Sequence, residues 1–314
     1  MTNYTLKELD NFLLYLQSNN YSQETIYNYE RDLKIFEYFL NNEIKKDFLN
    51  LDKKDVEKYK AYLSSIDRKT MQGKIPEKRL QSFSINRILS ALRRYLKFLT
   101  KTECESPLNP EHIDLVKTEK KHIRVPGLDD IVKLIESPSV LEKNRFIAFR
   151  NRAMLETLFS TGIRISELTN LKKEQINKEG KIFIRGKGKK ERFVYLTKRS
   201  SEYIQEYQKM NPEKESLYLF VPYRGKNNLK KNKKISTNYL QEKIKKYREL
   251  LGINVPISAH SIRHAFATYL AEKGANPAAI QTLLGHESLN TTTKYVNPSD
   301  RYAQETHKKY HPLN

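Results

Sequence analysis

Apolar and polar positions alternate with a helical period through the first hundred residues. Ile85, Leu89, Leu92, Leu96 and Leu99 recur at four- and three-residue steps, which predicts one apolar stripe along a helix. Three helices are expected before it. "TLKELDNFLLYL" opens with Thr5 and Glu8 three residues apart, a capping-box pattern. Ser22 stands where it would cap "QETIYNYERDLKIFEYFL", and Asp52 with Asp55 where they would open "KKDVEKYKAYLSSI". From Glu103 to Pro126 the period stops. The segment "ECESPLNPEHIDLVKTEKKHIRVPG" carries three prolines and predicts an extended interdomain linker. Beyond it, "NRFIAFRNRAMLETLFSTG" predicts a helix ending at Gly162, and "KIFIRGKGKKERFVYL" a β-hairpin around a Gly/Lys turn. Helical patterns follow to the C-terminus, interrupted by the loop "RGKNNLKKNKK". The chain is therefore expected to be mainly α. A four-helix domain spans 1–102, a linker 103–126, and a mixed α/β, mostly helical domain 127–314.

Charge adds a partner to this picture. Lys and Arg total 58 against 37 Asp and Glu, a formal net charge of +21, which favours a polyanion through attraction and counterion release. An A/T-rich coding bias would also enrich lysine, but it leaves the charge in place. Arg87, Arg94, Lys97 and Lys101 fall off the apolar stripe, so the helix has a basic face suited to lying on DNA. A merely soluble surface is the commoner explanation of any single charged face. The loop Arg224–Lys234 holds six basic residues (Arg224, Lys226, Lys230, Lys231, Lys233 and Lys234) and no acid. It either tracks a phosphate backbone or stays solvated. No apolar run approaches membrane-spanning length, so no membrane anchor is expected and nucleic acid outranks an acidic membrane surface. The N-terminus lacks a basic stretch followed by an apolar one, and the protein is expected to be cytoplasmic. Cys104 is the single cysteine, which excludes an intrachain disulfide and Cys₂- or Cys₄-type zinc sites.

Four segments of the second half carry reactive groups. "TGIRISELTNL" places Arg164 after a helix stop and before Ser166, a candidate cap of the next helix. The turn "RGKGKKER" carries Lys187, with Lys189 and Lys190 on the same turn. "AHSIRHAFATYL" spaces His260 and Arg263 one helical turn apart, with His264 expected to face away from Arg263. "LLGHESLNTTTKYVN" places His286 and Tyr295 nine residues apart. Two guanidiniums, an ammonium, two imidazoles and a phenol suffice to attack a phosphodiester without a metal or nucleotide cofactor. Arginines can hold the non-bridging oxygens, lysine can protonate a leaving alkoxide, and histidine can accept the phenol proton. A tyrosine nucleophile keeps the bond energy in a phosphotyrosine.

In this order and spacing, the segments resemble the tyrosine recombinases, the phage-integrase and Xer group. Gly-x-Arg-x-Ser-Glu-Leu matches Gly162 to Leu168, and Gly-Lys-Gly-x-Lys-x-Arg matches Gly186 to Arg192. His-x-x-Arg-His matches His260 to His264, and Leu-Leu-Gly-His with a later Tyr matches Leu283 to Tyr295. Departures are small: Ile262 and Ala265 inside the third motif, and Val296-Asn297 after the tyrosine. None removes a reacting group.

The resemblance implies a SAM-like core-binding domain followed by a catalytic domain, the two forming a C-shaped clamp on duplex DNA. It implies that Arg164 and Arg263 hold the scissile phosphate and Lys187 protonates the 5′ oxygen. His260 would assist as base or by hydrogen bonding, His286 would contact the phosphate, and Glu167 would support the site. Tyr295 would attack to form a 3′-phosphotyrosine. It further implies a Holliday junction and a tetramer on two recombination sites, with or without a second recombinase or accessory activator. The tail would pack on a neighbouring protomer. No arm-binding domain precedes the first helix, which leans towards the Xer-like type over a mobile-element integrase. Three other readings compete. A helix-turn-helix regulator would use "EKGANPAAIQTLLGHESLNTTTKYV", with Gly274 or Asn276 in the turn. A type IB topoisomerase would carry lysine where His260 stands. An assembly protein with a decayed site would not keep every reacting group.

Overall fold

Helices α1 (Leu9–Ser18), α2 (Gln23–Phe39), α3 (Lys53–Ser64) and α4 (Ser82–Lys101) build the first of two units, Met1–His122 and Ile123–Asn314, into which the chain divides. The computed structural model describes residues 6–66, 68, 78–118, 126–185, 191–211, 215–223, 233–285 and 300–313. Ser22 caps α2 by accepting the Thr25 N–H at 3.2 Å. Asp52 and Asp55 cap α3 reciprocally, each carboxylate accepting the other's backbone N–H at 3.0 and 3.3 Å. The first helix departs from expectation. Leu6 is buried and donates its N–H to Glu37 Oε1 at 2.9 Å, so the chain turns before α1 opens at Leu9. Thr5 lies outside the described residues.

Helix α4 buries a broader face than its five-residue stripe, because Ile88, Ala91, Tyr95 and Phe98 join it. Phe12 of α1 lies at its centre, with the rings of Tyr29, Tyr95 and Phe98 at 5.7, 5.5 and 5.4 Å. The expected linker is not extended throughout. Ile113 is fully buried in the first core, and Asn86 of α4 pairs with both the N–H (2.8 Å) and the C=O (2.9 Å) of Val116. Residues 103–118 thus pack on the first unit. Residues 119–125 lie outside the described residues.

The second unit is built around α7 (Arg145–Thr161), buried at every residue from Arg150 to Thr161. Most of its buried polar groups are paired, as burial favours. Arg150 donates to Val221 O at 2.9 Å and to the Tyr239 hydroxyl at 2.5 Å, and Arg152 pairs with Glu156 at 2.9 Å. Around it stand α5 (Leu128–Glu136), α6 (Pro138–Leu141), α8 (Ile165–Thr169), α9 (Lys198–Met210), α10 (Thr237–Leu250), α11 (Ala259–Glu272), α12 (Pro277–Leu284) and α13 (Asp300–Tyr310). The hairpin forms as expected. Strand β1 (Lys181–Arg185) pairs antiparallel with β2 (Glu191–Tyr195), with Ile184 opposite Arg192. The architecture is mainly α, with one small sheet among the described residues. No helix among the described residues is long and apolar enough to cross a membrane.

The described tail residues pack on the second unit of the same chain. Thr306, His307 and His311 of this segment are buried, and the two imidazoles donate to the last-turn carbonyls of α7. His307 Nε2 reaches Ser160 O, and His311 Nε2 reaches Phe159 O at 3.0 Å. The His311 Nδ1 accepts the Leu313 N–H at 3.2 Å, so its neutral tautomer is held from both sides. Burial pushes His307 down to about 4, and burial with the His307 charge pushes His311 down to about 3. Both stay neutral in the fold while the unfolded chain protonates near 6.5. Stability is therefore full above 6.5 and falls as pH drops towards about 4, by up to ~1.4 kcal/mol per histidine per pH unit. Thermal unfolding at pH 7 and pH 5 should show this loss. The double variant His307→Gln/His311→Gln, which keeps the donors, should flatten the difference.

Candidate active site

The second unit positions its reactive groups through helix ends. Helix α7 stops at Gly162, whose left-handed conformation (φ +62°) lets the chain turn sharply into α8. An added Cβ there would come within 2.4 Å of the Phe266 ring. Two residues on, Arg164 occupies the N-cap of α8. Its backbone N–H donates to Glu167 Oε2 at 2.8 Å and its Nη1 to Glu167 Oε1 at 3.0 Å. The cap is thus the Glu167 carboxylate and not Ser166, which lies within the helix. Arg263 comes from the first turns of α11, is 5% exposed, and donates to Gly162 O and Leu284 O, both at 2.6 Å.

A third guanidinium completes the cluster. Arg192, at the inward-facing start of β2, forks onto Glu167 at 3.0 and 2.7 Å and donates Nε to Leu283 O at 2.9 Å. Arg164 Nη2 reaches Gly285 O at 3.2 Å. Three consecutive carbonyls at the C-terminus of α12, those of Leu283, Leu284 and Gly285, are therefore each held by a different arginine. Cations are favoured at that end of a helix. Burial raises the Glu167 pKa, but hydrogen bonds and charge from Arg192, then Arg164, outweigh it and hold the carboxyl below its ordinary value. Burial, with the charges of Arg164 and Arg192, pushes Arg263 down to about 10, which leaves it cationic at neutral pH. Three guanidiniums here gather around one carboxylate, so the cluster has excess positive charge at a place where a phosphate can supply the balance.

His260 begins α11 beside Arg263, on an exposed edge of the cluster. His264 does not face away. Four residues on from His260, it shares that helix face, and the two Nε2 atoms lie 2.9 Å apart with the rings perpendicular. Burial, followed by the charges of His264, Arg263 and Arg164, lowers the His260 pKa, so the imidazole is neutral and able to accept a proton at neutral pH. Lys187, His286 and Tyr295 lie outside the described residues, as do Lys230 and Lys231. The structure brings together Arg164, Glu167, His260 and Arg263.

Arg192 closes the second motif, but spacing gave it no role. The available signal was its place in the hairpin's alternation, where it shares the buried side with Val194. Local helix-turn-helix geometry is present too, with Gly274 at φ +82° and Asn276 capping α12 through the Ala278 N–H at 2.8 Å. However, Ala278, Ala279, Ile280, Leu283 and Leu284 of α12 are buried, so much of this helix packs into the second unit.

Comparison with known proteins agrees with the geometry. Residues 128–301 match the phage integrase family, and residues 9–103 match the phage integrase N-terminal SAM-like domain. The chain belongs to the phage integrase family. These are the tyrosine-type, site-specific DNA recombinases. The recombinase is 32% identical over 321 residues to tyrosine recombinase XerC of Leptospira interrogans serogroup Icterohaemorrhagiae serovar copenhageni (strain Fiocruz L1-130), covering 99% of this chain and 94% of the relative. Its fold is similar to XerH site-specific recombinase bound to palindromic difH substrate in a post-cleavage complex (TM-score 0.67, 21% identity, 96% of this chain and 83% of that one). It is also similar to a lambda integrase tetramer bound to a Holliday junction (TM-score 0.65, 17% identity, 91% of this chain and 78% of that one).

The basic residues of α4 have partners within the recombinase. Arg87 pairs with the buried Asp32, Arg94 donates to the Tyr21 hydroxyl at 3.1 Å, and Lys97 meets Glu111 at 3.1 Å. Lys101 donates to the Tyr15 hydroxyl at 3.4 Å. In the second unit, Lys234 donates to Asn170 Oδ1 at 2.7 Å, and the Lys233 carbonyl accepts from the Ser216 hydroxyl at 3.3 Å.

Two outcomes are expected from this site. Gly162→Ala should destabilise the second unit by about 1–2 kcal/mol from the left-handed backbone, plus roughly 1–3 kcal/mol from overpacking against Phe266. Denaturant midpoints measure it. Single-turnover DNA cleavage should fall as pH drops through a His260 pKa lying below 6.5, and His260→Gln should lack that limb.

Proposed function

We propose that this recombinase breaks and rejoins duplex DNA at a specific site through Tyr295. The phenol oxygen attacks the scissile phosphorus, its proton passing to His260, and the bond to the 5′ oxygen breaks as Lys187 protonates that leaving group. A 3′-phosphotyrosine results, and attack on it by a 5′ hydroxyl from the partner duplex reverses the chemistry with exchanged strands. Arg164 and Arg263 stabilise the non-bridging oxygens, assisted by His286. The observation that carries this reading is the arginine cluster at the end of α12, immediately before His286.

Two other tyrosines of the second unit are engaged with its core. Tyr310 packs half-buried against the core of the second unit, and burial pushes the Tyr207 phenol up to about 12. The net charge of +21 suits binding of duplex DNA by both units. Two successive strand exchanges pass through a Holliday junction and need four protomers on two sites, in keeping with the lambda integrase assembly. Similarity to XerC along almost the whole chain favours an Xer-type role, resolving chromosome dimers, over mobile-element integration. A second recombinase or an activating protein belongs to that role as a partner.

The test works on DNA of any sequence. Wild-type protein and Tyr295→Phe are incubated with nicked duplexes of randomised sequence, in which cleavage releases a short fragment and traps the enzyme. Detergent-resistant DNA should form with wild type and vanish with Tyr295→Phe, and its sequence identifies the half-site. An adduct that persists in Tyr295→Phe would move the nucleophile to another tyrosine.

A further inference from the structure

We propose that Arg192 is a positioning residue of this active site, setting Arg164 and the end of α12 relative to each other without touching DNA; the proposal rests on the recombinase reading above. A guanidinium on the buried side of a hairpin is costly unless it is fully engaged. Arg192 is 8% exposed and sits opposite the buried Ile184. Its fork takes both oxygens of Glu167, and its Nε takes Leu283 O. The same two carboxylate oxygens hold the Arg164 Nη1 and backbone N–H, so fixing Glu167 fixes Arg164. The carbonyl it grips adjoins the two that Arg263 and Arg164 hold. One side chain thereby ties the hairpin, α8 and α12 into a single arrangement.

Gly285 makes that arrangement accessible. It is left-handed (φ +65°), and a Cβ there would meet Arg192 Cδ at 3.0 Å and Nε at 3.2 Å. A side chain at this left-handed position would press on the guanidinium that lies across the helix end, which would have to shift by a few tenths of an ångström. Lysine cannot replace it, since an ammonium cannot fork onto a carboxylate and reach a carbonyl at the same time.

The experiment compares cleavage of the trapped half-site carrying either a natural phosphate or a methylphosphonate at the scissile position. The methyl group removes one anionic oxygen and with it much of the need for a well-placed guanidinium. Arg192→Gln and Arg192→Lys should slow cleavage of the phosphate roughly 100-fold, the scale of a small misplacement of reacting groups. On methylphosphonate their defect should shrink in parallel with that of Arg164→Ala. Equal defects on both substrates, or none, would overturn the proposal. If Arg192→Gln does not fold, Gly285→Ala applies the same comparison with every charge retained. Hydrogen exchange on the free protein gives a readout independent of catalysis. In Arg192→Gln, the amides of α8 and of the C-terminal turn of α12 should exchange faster while those of α7 do not, and unchanged exchange counts against the proposal. Absence of a Tyr295-dependent adduct with wild type on either substrate would instead sink the recombinase reading.

Discussion

The catalytic unit depends on a fork of hydrogen bonds around one carboxylate. Glu167 binds two guanidiniums and a backbone N–H, and those guanidiniums, with Arg263, take the last carbonyls of α12. Helices leave their final carbonyls unpaired, and a negative dipole end attracts cations. The chain uses both facts at once. Arginines that satisfy the end of α12 are thereby gathered with Glu167 at one place, where the proposed function puts the scissile phosphate.

The same device closes α7. Its carbonyls at Phe159 and Ser160 are taken by histidines of α13 and the residue after it, and the Gly162 carbonyl by Arg263. Side chains from segments distant in sequence thus finish two helices, and each finished end points towards Arg164. Because the histidines serve as neutral donors, docking of the tail has a built-in acid limit.

Charge is distributed by purpose. Around Glu167 positive charge is in excess and partly buried, where it acts strongly on a phosphate. On α4 the basic residues lean on Asp32, Glu111 and two tyrosine hydroxyls, so they act as a half-neutralised surface. Such a surface adds salt-sensitive attraction for a polyanion.

Much of this protein was legible in its sequence, because local physics decides it. The stripe of α4, the Asp52–Asp55 cap, the stop at Gly162 and the hairpin follow from period, capping chemistry and turn residues. The ordered motifs carrying Arg164, His260 and Arg263 pointed to phosphodiester chemistry on residue type and spacing, and Glu167 entered through the family resemblance. Other features came only with tertiary structure. The segment 103–118 packs on α4 because Asn86 and the buried site of Ile113 reward it, which no linker composition reveals. Arg192 joins Glu167 to Leu283, residues 25 and 91 positions away, and the tail finds α7 across 147 positions. Sequence periodicity reports which face a residue occupies, and a hydrogen bond across such separations exists only once the packed core has brought both ends together.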